Sequence, residues 1–275
     1  MASDELDGTA DQDDVKRGAH HVQSLERGLA VIKSFDAQHP QLTLSDVARR
    51  TGLTRAAARR FLLTLADLGY VRTDGKHFTL AAKVLELGYS YLSSMTLPEV
   101  AQPHLEQLST EVHESSSVSV LDGADIVYIA RVAASRIMTV SINIGTRFPA
   151  YATSMGHVLL AGLTAPQLDA YLAATALAPL TSHTLTDADA LRAELETVRA
   201  QGYSIVDQEL EAGLRSLAAP VRDHSGTVIA AINISTHATR QDMDSIRTQL
   251  VPRLLAAAQR IERDLAGAAP IARLG

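Results

Sequence analysis

The chain of 275 residues has no cysteine and no tryptophan, and aromatic residues make up only 4% of it. Without cysteine, disulfides, thiolate zinc sites and cysteine nucleophiles are excluded. With so few aromatics, any core must be built mainly from aliphatic side chains. No run of 18 apolar residues occurs, so no membrane-spanning helix is predicted. The first residues, MASDELDGTADQDD, are acidic and polar, unlike a secretory signal, and the expected location is the cytoplasm. What is present is the profile of a globular protein, 46% hydrophobic and 20% charged, long enough for one large domain or two ordinary ones.

The net charge of −6 disfavours nucleic acid at first sight, but its distribution is uneven. Residues 1–19 are net −4, lack apolar periodicity and read as a disordered acidic tail. Residues 20–80 are net +4, with Arg27, Lys33, Arg49, Arg50, Arg55, Arg59, Arg60, Arg72 and Lys76 among them. Only this block has a charge suited to phosphates. On charge alone it fits an ordinary solvated surface equally well.

Local signals sharpen the block. Val22, Leu25, Leu29 and Ile32 recur at helical spacing over Val22–Phe35. Thr43 precedes a second helix, with Asp46 three positions on as in a capping box, and Gly52 ends it. Thr54 caps a third helix that runs to about Leu68, with Gly69 as its stop. A short helix, a tight glycine turn and a longer helix make a helix-turn-helix. Two short alternating segments then flank Asp74-Gly75, which reads as a β-hairpin in the position of a wing rather than as a bare turn.

At 100° per residue, Ala57, Ala58, Phe61, Leu65 and Leu68 share the inner side of the third helix. Arg55, Ala56, Arg59 and Leu63 share the outer side, with Arg60 on the flank. Arg55 and Arg59 are i, i+4 neighbours and leave one face. Arginine suits bidentate contact to guanine, and the N-terminal part of the second helix of a helix-turn-helix enters the major groove. The candidate DNA-contacting residues are Thr43, Ser45, Thr54, Arg55, Ala56, Arg59, Arg60, Arg72, Lys76 and His77. The first three sit at helix starts suited to phosphate and the last three on the wing.

Beyond the wing, Lys83–Leu97 reads as a linker helix ended by Pro98, and Glu99–Val112 as a further helix. Strands are predicted at Ser117–Leu121, Ile126–Val132, Met138–Ile144, Ser204–Asp207, Leu217–Val221 and Val228–Ile234. Helices are predicted at Ser154–Ala161, from a Thr186 cap through Val198, and at Ile246–Leu265. The fold class is α+β. The domains are expected at 20–81 (winged helix-turn-helix), 82–98 (linker helix) and 99–268 (sensor domain).

Several separated motifs, in order, resemble the IclR family of bacterial regulators over about residues 20–265. They are Ser24-Leu25-Glu26-Arg27-Gly28-Leu29, Leu44–Gly52, Leu65–Val71, Phe148–Gly156, Gly202–Asp207 with Glu209, Gly213–Val221 and Ala230–Ser235. The stretch Ile137–Val140 with Gly145–Tyr151 is most similar to the branch that regulates protocatechuate, 4-hydroxybenzoate and catechol catabolism, the β-ketoadipate pathway. The chain departs from the family at Ala56-Ala57-Ala58, where hydroxyl and β-branched residues are common. The resemblance implies a GAF-like effector domain, double-stranded operator DNA as partner, an aromatic or dicarboxylic acid effector, and homodimers that often pair into tetramers. The alternatives are a regulator of another carbon-source pathway, such as glyoxylate, acetate or sugar-acid metabolism, and, less favoured, an enzyme using the C-terminal domain.

Motif by motif, the resemblance puts Ser154, Met155, Asp207, Ser216, Asn233 and Ser235 around the effector. The residues themselves agree in part. Thr153 or Ser154 begins a helix whose free N–H groups suit a carboxylate. Asn233 and Ser235 lie on one face of a strand, a face that is either solvated or turned to a ligand. Arg131 and Arg147 are the cations suited to a carboxylate. Arg147 is taken as the effector residue, and Arg131 is read as a surface or salt-bridge residue. Asp207 would repel a carboxylate. Ser154 with His157 has neither a nucleophile elbow nor an oriented third member, so no catalytic residue is assigned. Ten histidines show no His-x-x-x-His spacing, and no metal or cofactor is expected.

Overall fold

The computed structural model describes residues 21–87, 96–134 and 142–267. The acidic tail, most of the expected linker helix and most of the strand expected at Met138–Ile144 lie outside the described residues. The chain divides into two compact units, residues 1–91 and 92–275. No helix among the described residues is long and apolar enough to cross a membrane.

The first unit carries the helices α1 (Gln23–Lys33), α2 (Leu44–Thr51) and α3 (Arg55–Asp67), and a 3-10 turn at Ala82–Val84. A three-stranded antiparallel sheet joins β1 (Gln41–Thr43), β2 (Val71–Thr73) and β3 (His77–Leu80) in the order β1-β3-β2. Local chemistry sets the helix-turn-helix. The Thr43 hydroxyl accepts from Asp46 N at 3.3 Å while Thr43 N donates to the Asp46 carboxylate at 3.1 Å, a complete capping box. Gly52 takes φ 68°, a left-handed turn that a β-carbon disfavours. Thr54 accepts from Ala57 N at 3.2 Å and starts α3. The core is Val31, Phe35, Leu42, Val47, Ala48, Ala58, Leu62, Leu65, Val71 and Phe78.

Two sequence expectations are corrected here. Leu62, not Leu68, completes the inner face of α3; Leu68 is exposed. On α1 the core side is Val31, while Val22, Leu25 and Leu29 are exposed. Strand β1 was not foreseen, since three residues carry no readable alternation.

The second unit is a six-stranded antiparallel sheet in the order β6-β5-β4-β9-β8-β7. Its strands are β4 (Ser115–Asp122), β5 (Asp125–Val132), β6 (Arg147–Pro149), β7 (Ser204–Asp207), β8 (Leu214–Arg222) and β9 (Val228–His237). Helices α4 (Thr96–Val112) and α8 (Val251–Gly267) cover one face, packing Leu105, Leu108, Leu254 and Ile261 on Leu217, Ile232 and Ile234. Helices α5 (Ser154–Ala161), α6 (Ala165–Ala174) and α7 (Ala188–Gln201) belong to the other face, where Met155, Leu160, Leu191 and Leu195 join Ile126, Tyr128, Ala218 and Ala231. A bulge in β5 alters the alternation: Val118 pairs with Ala130 but Ser119 with Tyr128. Ile129 and Ala130 both join the first face, and Arg131 returns to the second, opposite Ser117.

Pro98 does not end a helix, because it sits in the first turn of α4, where a missing N–H costs nothing. Residues 142–144 of the expected Met138–Ile144 strand are irregular. Helix α7 is capped by Asp187, whose carboxylate accepts from Ala190 N at 2.8 Å, and not by Thr186. The closing helix is broken by a π turn at Ile246–Leu250.

Candidate functional site

On the first unit, the basic side chains separate by whether an acid holds them. Arg49 pairs with Asp46 at 2.7 Å and Arg50 with Asp36 at 2.5 Å. Arg55, Arg59 and Arg60 are exposed and make no ion pair among the described residues. They project from α3 with Ala56, whose small side chain lets another backbone or phosphate approach. Ser45 is exposed at the start of α2, but the Thr43 hydroxyl is occupied by its capping box, donating to Asp46 at 2.6 Å. A groove of about 290 Å³ between α1 and α3 is lined by Arg27 and Arg60. Arg27 is not among the expected DNA-contacting residues, since its helix reads as structural.

The wing is ordered at its tip. Asp74 accepts from His77 N at 2.7 Å and Lys76 N at 2.8 Å. These backbone donors, first from His77 and then from Lys76, pull its carboxyl down to about 2. Arg72 and Lys76 are exposed, whereas the His77 ring lies against Asp74 at 3.2 Å. Thr54, Arg55, Ala56, Arg59 and Arg60 thus share one helix end, with Arg72 and Lys76 on the adjoining hairpin of the same unit.

On the second unit, a pocket lies between the start of α5 and the sheet. Ser154, Met155, Ser216, Asn233 and Ser235 line it, with Tyr128, Ala152, Thr153, Val206, Leu210 and Leu214. Its free interior is about 10 Å³, room for roughly one water. The sheet register explains the grouping. Ser115, Ser235, Ser216 and Val206 form one transverse row; Arg131, Ser117, Asn233 and Ala218 form the next. Cross-strand partners share a face, so both rows turn toward α5.

Two polar atoms in this pocket are buried without a partner, Ser154 Oγ and Asn233 Oδ1. Asn233 Nδ2 donates to Ser235 Oγ at 3.0 Å, leaving the oxygen open. Ser119 donates to Met155 Sδ at 3.2 Å. Thr153 caps α5 by accepting from Gly156 N at 3.1 Å. The Ser154 and Met155 N–H groups are then in the first turn, where no helix carbonyl accepts. Buried polar atoms without partners cost stability, and a pocket lined by them suits a hydrogen-bonding ligand.

Behind the pocket, His157 is fully buried, and its Nε2–H donates to Tyr151 O at 2.7 Å. Burial pushes its pKa down to about 4, so it is neutral. Glu209 Oε2 lies 4.0 Å from it, and burial pushes this carboxyl up to about 7.

Two expected effector residues stand elsewhere. Asp207 pairs in register with Arg215, one residue along from the Val206–Ser216 pair, and so faces the other side of the sheet. There it makes a two-pronged ion pair with Arg215 at 2.8 and 2.9 Å, and its carboxyl is held low by that guanidinium. The conflict between Asp207 and an acidic ligand therefore dissolves. Arg147, at the edge strand β6, is bound to Asp122 at 2.6 Å and Asp125 at 3.1 Å, half-exposed. The buried serines Ser115, Ser117 and Ser119 on β4 were missed. Their signal was a serine run inside a strand with no turn residue.

Comparison with known proteins agrees with this two-unit layout. Residues 24–75 match the family description "IclR helix-turn-helix domain", and residues 89–263 match "Bacterial transcriptional regulator IclR C-terminal". The Pca regulon regulatory protein of Pseudomonas putida is 46% identical over 247 residues, covering 90% of this chain and 85% of that protein. The p-hydroxybenzoate hydroxylase transcriptional activator of Acinetobacter baylyi is 36% identical, covering 86% of this chain and 90% of that protein. A solved structure of an IclR homolog complexed with 4-hydroxybenzoate, from Microbacterium hydrocarbonoxydans, is 26% identical with a TM-score of 0.79, covering 89% of this chain and all of that one. With a basic, acid-free helix end on one unit, a polar buried pocket on the other, and matches spanning both, the chain belongs to the IclR family of bacterial transcriptional regulators.

Proposed function

We propose that this regulator controls genes for the breakdown of aromatic compounds, with its operator binding governed by a small carboxylic acid seated against Ser154, Met155, Ser216, Asn233 and Ser235. The observation that carries the proposal is the pair of buried, unpartnered atoms Ser154 Oγ and Asn233 Oδ1 facing one pocket. The names of the two relatives and the 4-hydroxybenzoate in the Microbacterium homolog support the aromatic reading. Operator DNA is met by Thr54, Arg55, Ala56, Arg59 and Arg60, with Arg72 and Lys76 on the wing, and this meeting takes place in the cytoplasm. Thr43 acts as a helix cap, and His77 orders the wing.

The relatives' regulatory roles support a sensor rather than a catalyst, and among the described residues Ser154 Oγ makes no hydrogen bond to His157 or another base. The exposed apolar stripe Val22, Leu25 and Leu29 on α1 supports a homodimer through the DNA-binding unit, with a dimer of dimers as the larger assembly.

The test is a thermal-shift screen of 4-hydroxybenzoate, protocatechuate, muconate and β-ketoadipate on the full chain. At 100 times its Kd a ligand adds about 2.7 kcal/mol, which raises the melting temperature of a unit this size by roughly 5–10 °C. A shift by at least one of these acids is expected. Shifts only from unrelated acids, such as glyoxylate or sugar acids, would move the chain to another carbon-source pathway.

A further inference from the structure

The second unit contains many arginines, and every other arginine on its sheet strands besides Arg131 is neutralised. Arg147, Arg192, Arg199, Arg215, Arg222 and Arg240 each pair with an aspartate or glutamate. Arg131 is the arginine of this sheet that pairs with no carboxylate among the described residues, and it is half-buried on the face that carries the pocket; Arg260, also unpaired, stands on α8 at the other face. Its polar contact is a donation from Nη1 to Ser117 Oγ at 3.2 Å, a neutral acceptor. Desolvation lowers its pKa below the usual guanidinium range, which is the signature of a partly buried cation without a counter-ion.

Its position gives that charge a direction. Arg131 stands opposite Ser117, and Ser117 stands opposite Asn233, so the three share one row and one face. The backbones at the ends of this row are two strand spacings apart, about 10 Å, and the Arg131 guanidinium reaches inward as far as Ser117. At the Asn233 end the open atom is Oδ1, an acceptor that a hydroxyl group satisfies and a carboxylate does not. At the Arg131 end the open group is a fork of donors that a carboxylate satisfies. Between them Ser117 is fully buried and Ser119 touches Met155, so the row is shielded from water. The row is therefore polarised, with a site for an anion at one end and a site for a donor at the other.

We propose that Arg131 binds the carboxylate of the effector, with the ligand lying along the Arg131–Ser117–Asn233 row and its hydroxyl on Asn233 Oδ1. This rests on the reading that the pocket takes an acid. A hydroxy-substituted aromatic acid fits both ends, and its uncharged amide fits only one. The lining of the 10 Å³ space includes Asn233 but neither Ser117 nor Arg131, so seating an acid along the row requires the pocket to widen.

The experiment is calorimetric titration of the full chain with 4-hydroxybenzoate and 3,4-dihydroxybenzoate and with their uncharged amides. The wild type is expected to prefer each acid over its amide. Arg131→Gln should weaken acid binding by roughly 10- to 100-fold and leave amide binding within about twofold, erasing the preference. Arg131→Lys should recover part of the acid affinity, because a point charge replaces the fork. Retained amide binding shows that the variants are folded. If Arg131→Gln binds the acids as tightly as the wild type, the role of Arg131 is overturned while the pocket stands. If the wild type binds neither acid, the acid-binding reading falls, and this one with it.

Discussion

Arg55 and Arg59 leave one face of α3, one turn apart, with no carboxylate among the described residues to hold them, whereas Arg49 and Arg50 on the preceding helix are both tied to aspartates. Free guanidinium groups at the N-terminal end of a recognition helix are available to bases and phosphates. Arg59→Ala is expected to weaken operator binding by about 1–3 kcal/mol if Arg59 reads a base, measured by fluorescence anisotropy with a labelled duplex. Unchanged affinity would remove Arg59 from the reading face. Inside the second unit, Glu209 offers a pH prediction. Its carboxyl is pushed up to about 7 by burial, against an ordinary value of 4.5. Between these values the folded state holds a proton that the unfolded chain has lost. Glu209 therefore destabilises progressively as pH rises from about 4.5 through 7. His157 has the opposite sign: with its pKa lowered from 6.5 to about 4, stability is lost as pH falls through that window. Glu209→Gln should melt at a higher temperature than the wild type at pH 8 and at nearly the same temperature at pH 5. A wild-type pH slope in the variant would contradict the assignment.

Helix α5 brings the pocket together, and one glycine lets it do so. A β-carbon on Gly156 would collide with the backbone of Ala150, in the helical turn Ala150–Ala152 just before α5. Gly156→Ala is expected to cost about 1–3 kcal/mol and to impair acid binding, because the first turn of α5 lines the pocket. A melting curve and a titration check both. Elements of this kind were readable in the sequence to the degree that their signals are local. Thr43, Asp46, Gly52 and Thr54 act on residues within three positions of themselves, and the helix-turn-helix was legible from them. The resemblance, rather than any local signal, grouped Ser154, Met155, Ser216, Asn233 and Ser235, and these five line one pocket. What was not legible depends on distant partners. The β4 serines look like a solvated face until α5 covers them. Arg147 looks like a free cation until Asp122 and Asp125, 25 and 22 residues earlier, close on it. Asp207 is an intermediate case. Its parity against Ser216 was fixed by the strand register, which two short segments alone do not reveal.

For the whole molecule, the charge is divided by task. The acidic total belongs to the tail and the second unit, and the DNA-binding block is net positive. Steering toward DNA depends on that local sign and on salt. The apolar stripe on α1, with Leu25 63% exposed and Val22 58% exposed, is the surface that the proposed homodimer would cover. Leu25→Asp is expected to shift the chain toward monomer in sedimentation and to weaken binding to a two-half-site operator more than to a single half-site. An unchanged mass would place the dimer contact elsewhere. The central claim is that acid binding in one unit changes DNA binding by the other. The most direct measurement titrates the full chain onto a duplex recovered by in vitro selection, with and without a saturating acid from the thermal-shift screen. The account predicts salt-dependent, sequence-specific binding whose affinity changes by about 5- to 150-fold when the acid is present. Sequence-specific binding with the same affinity in the presence and absence of every acid that binds would contradict it.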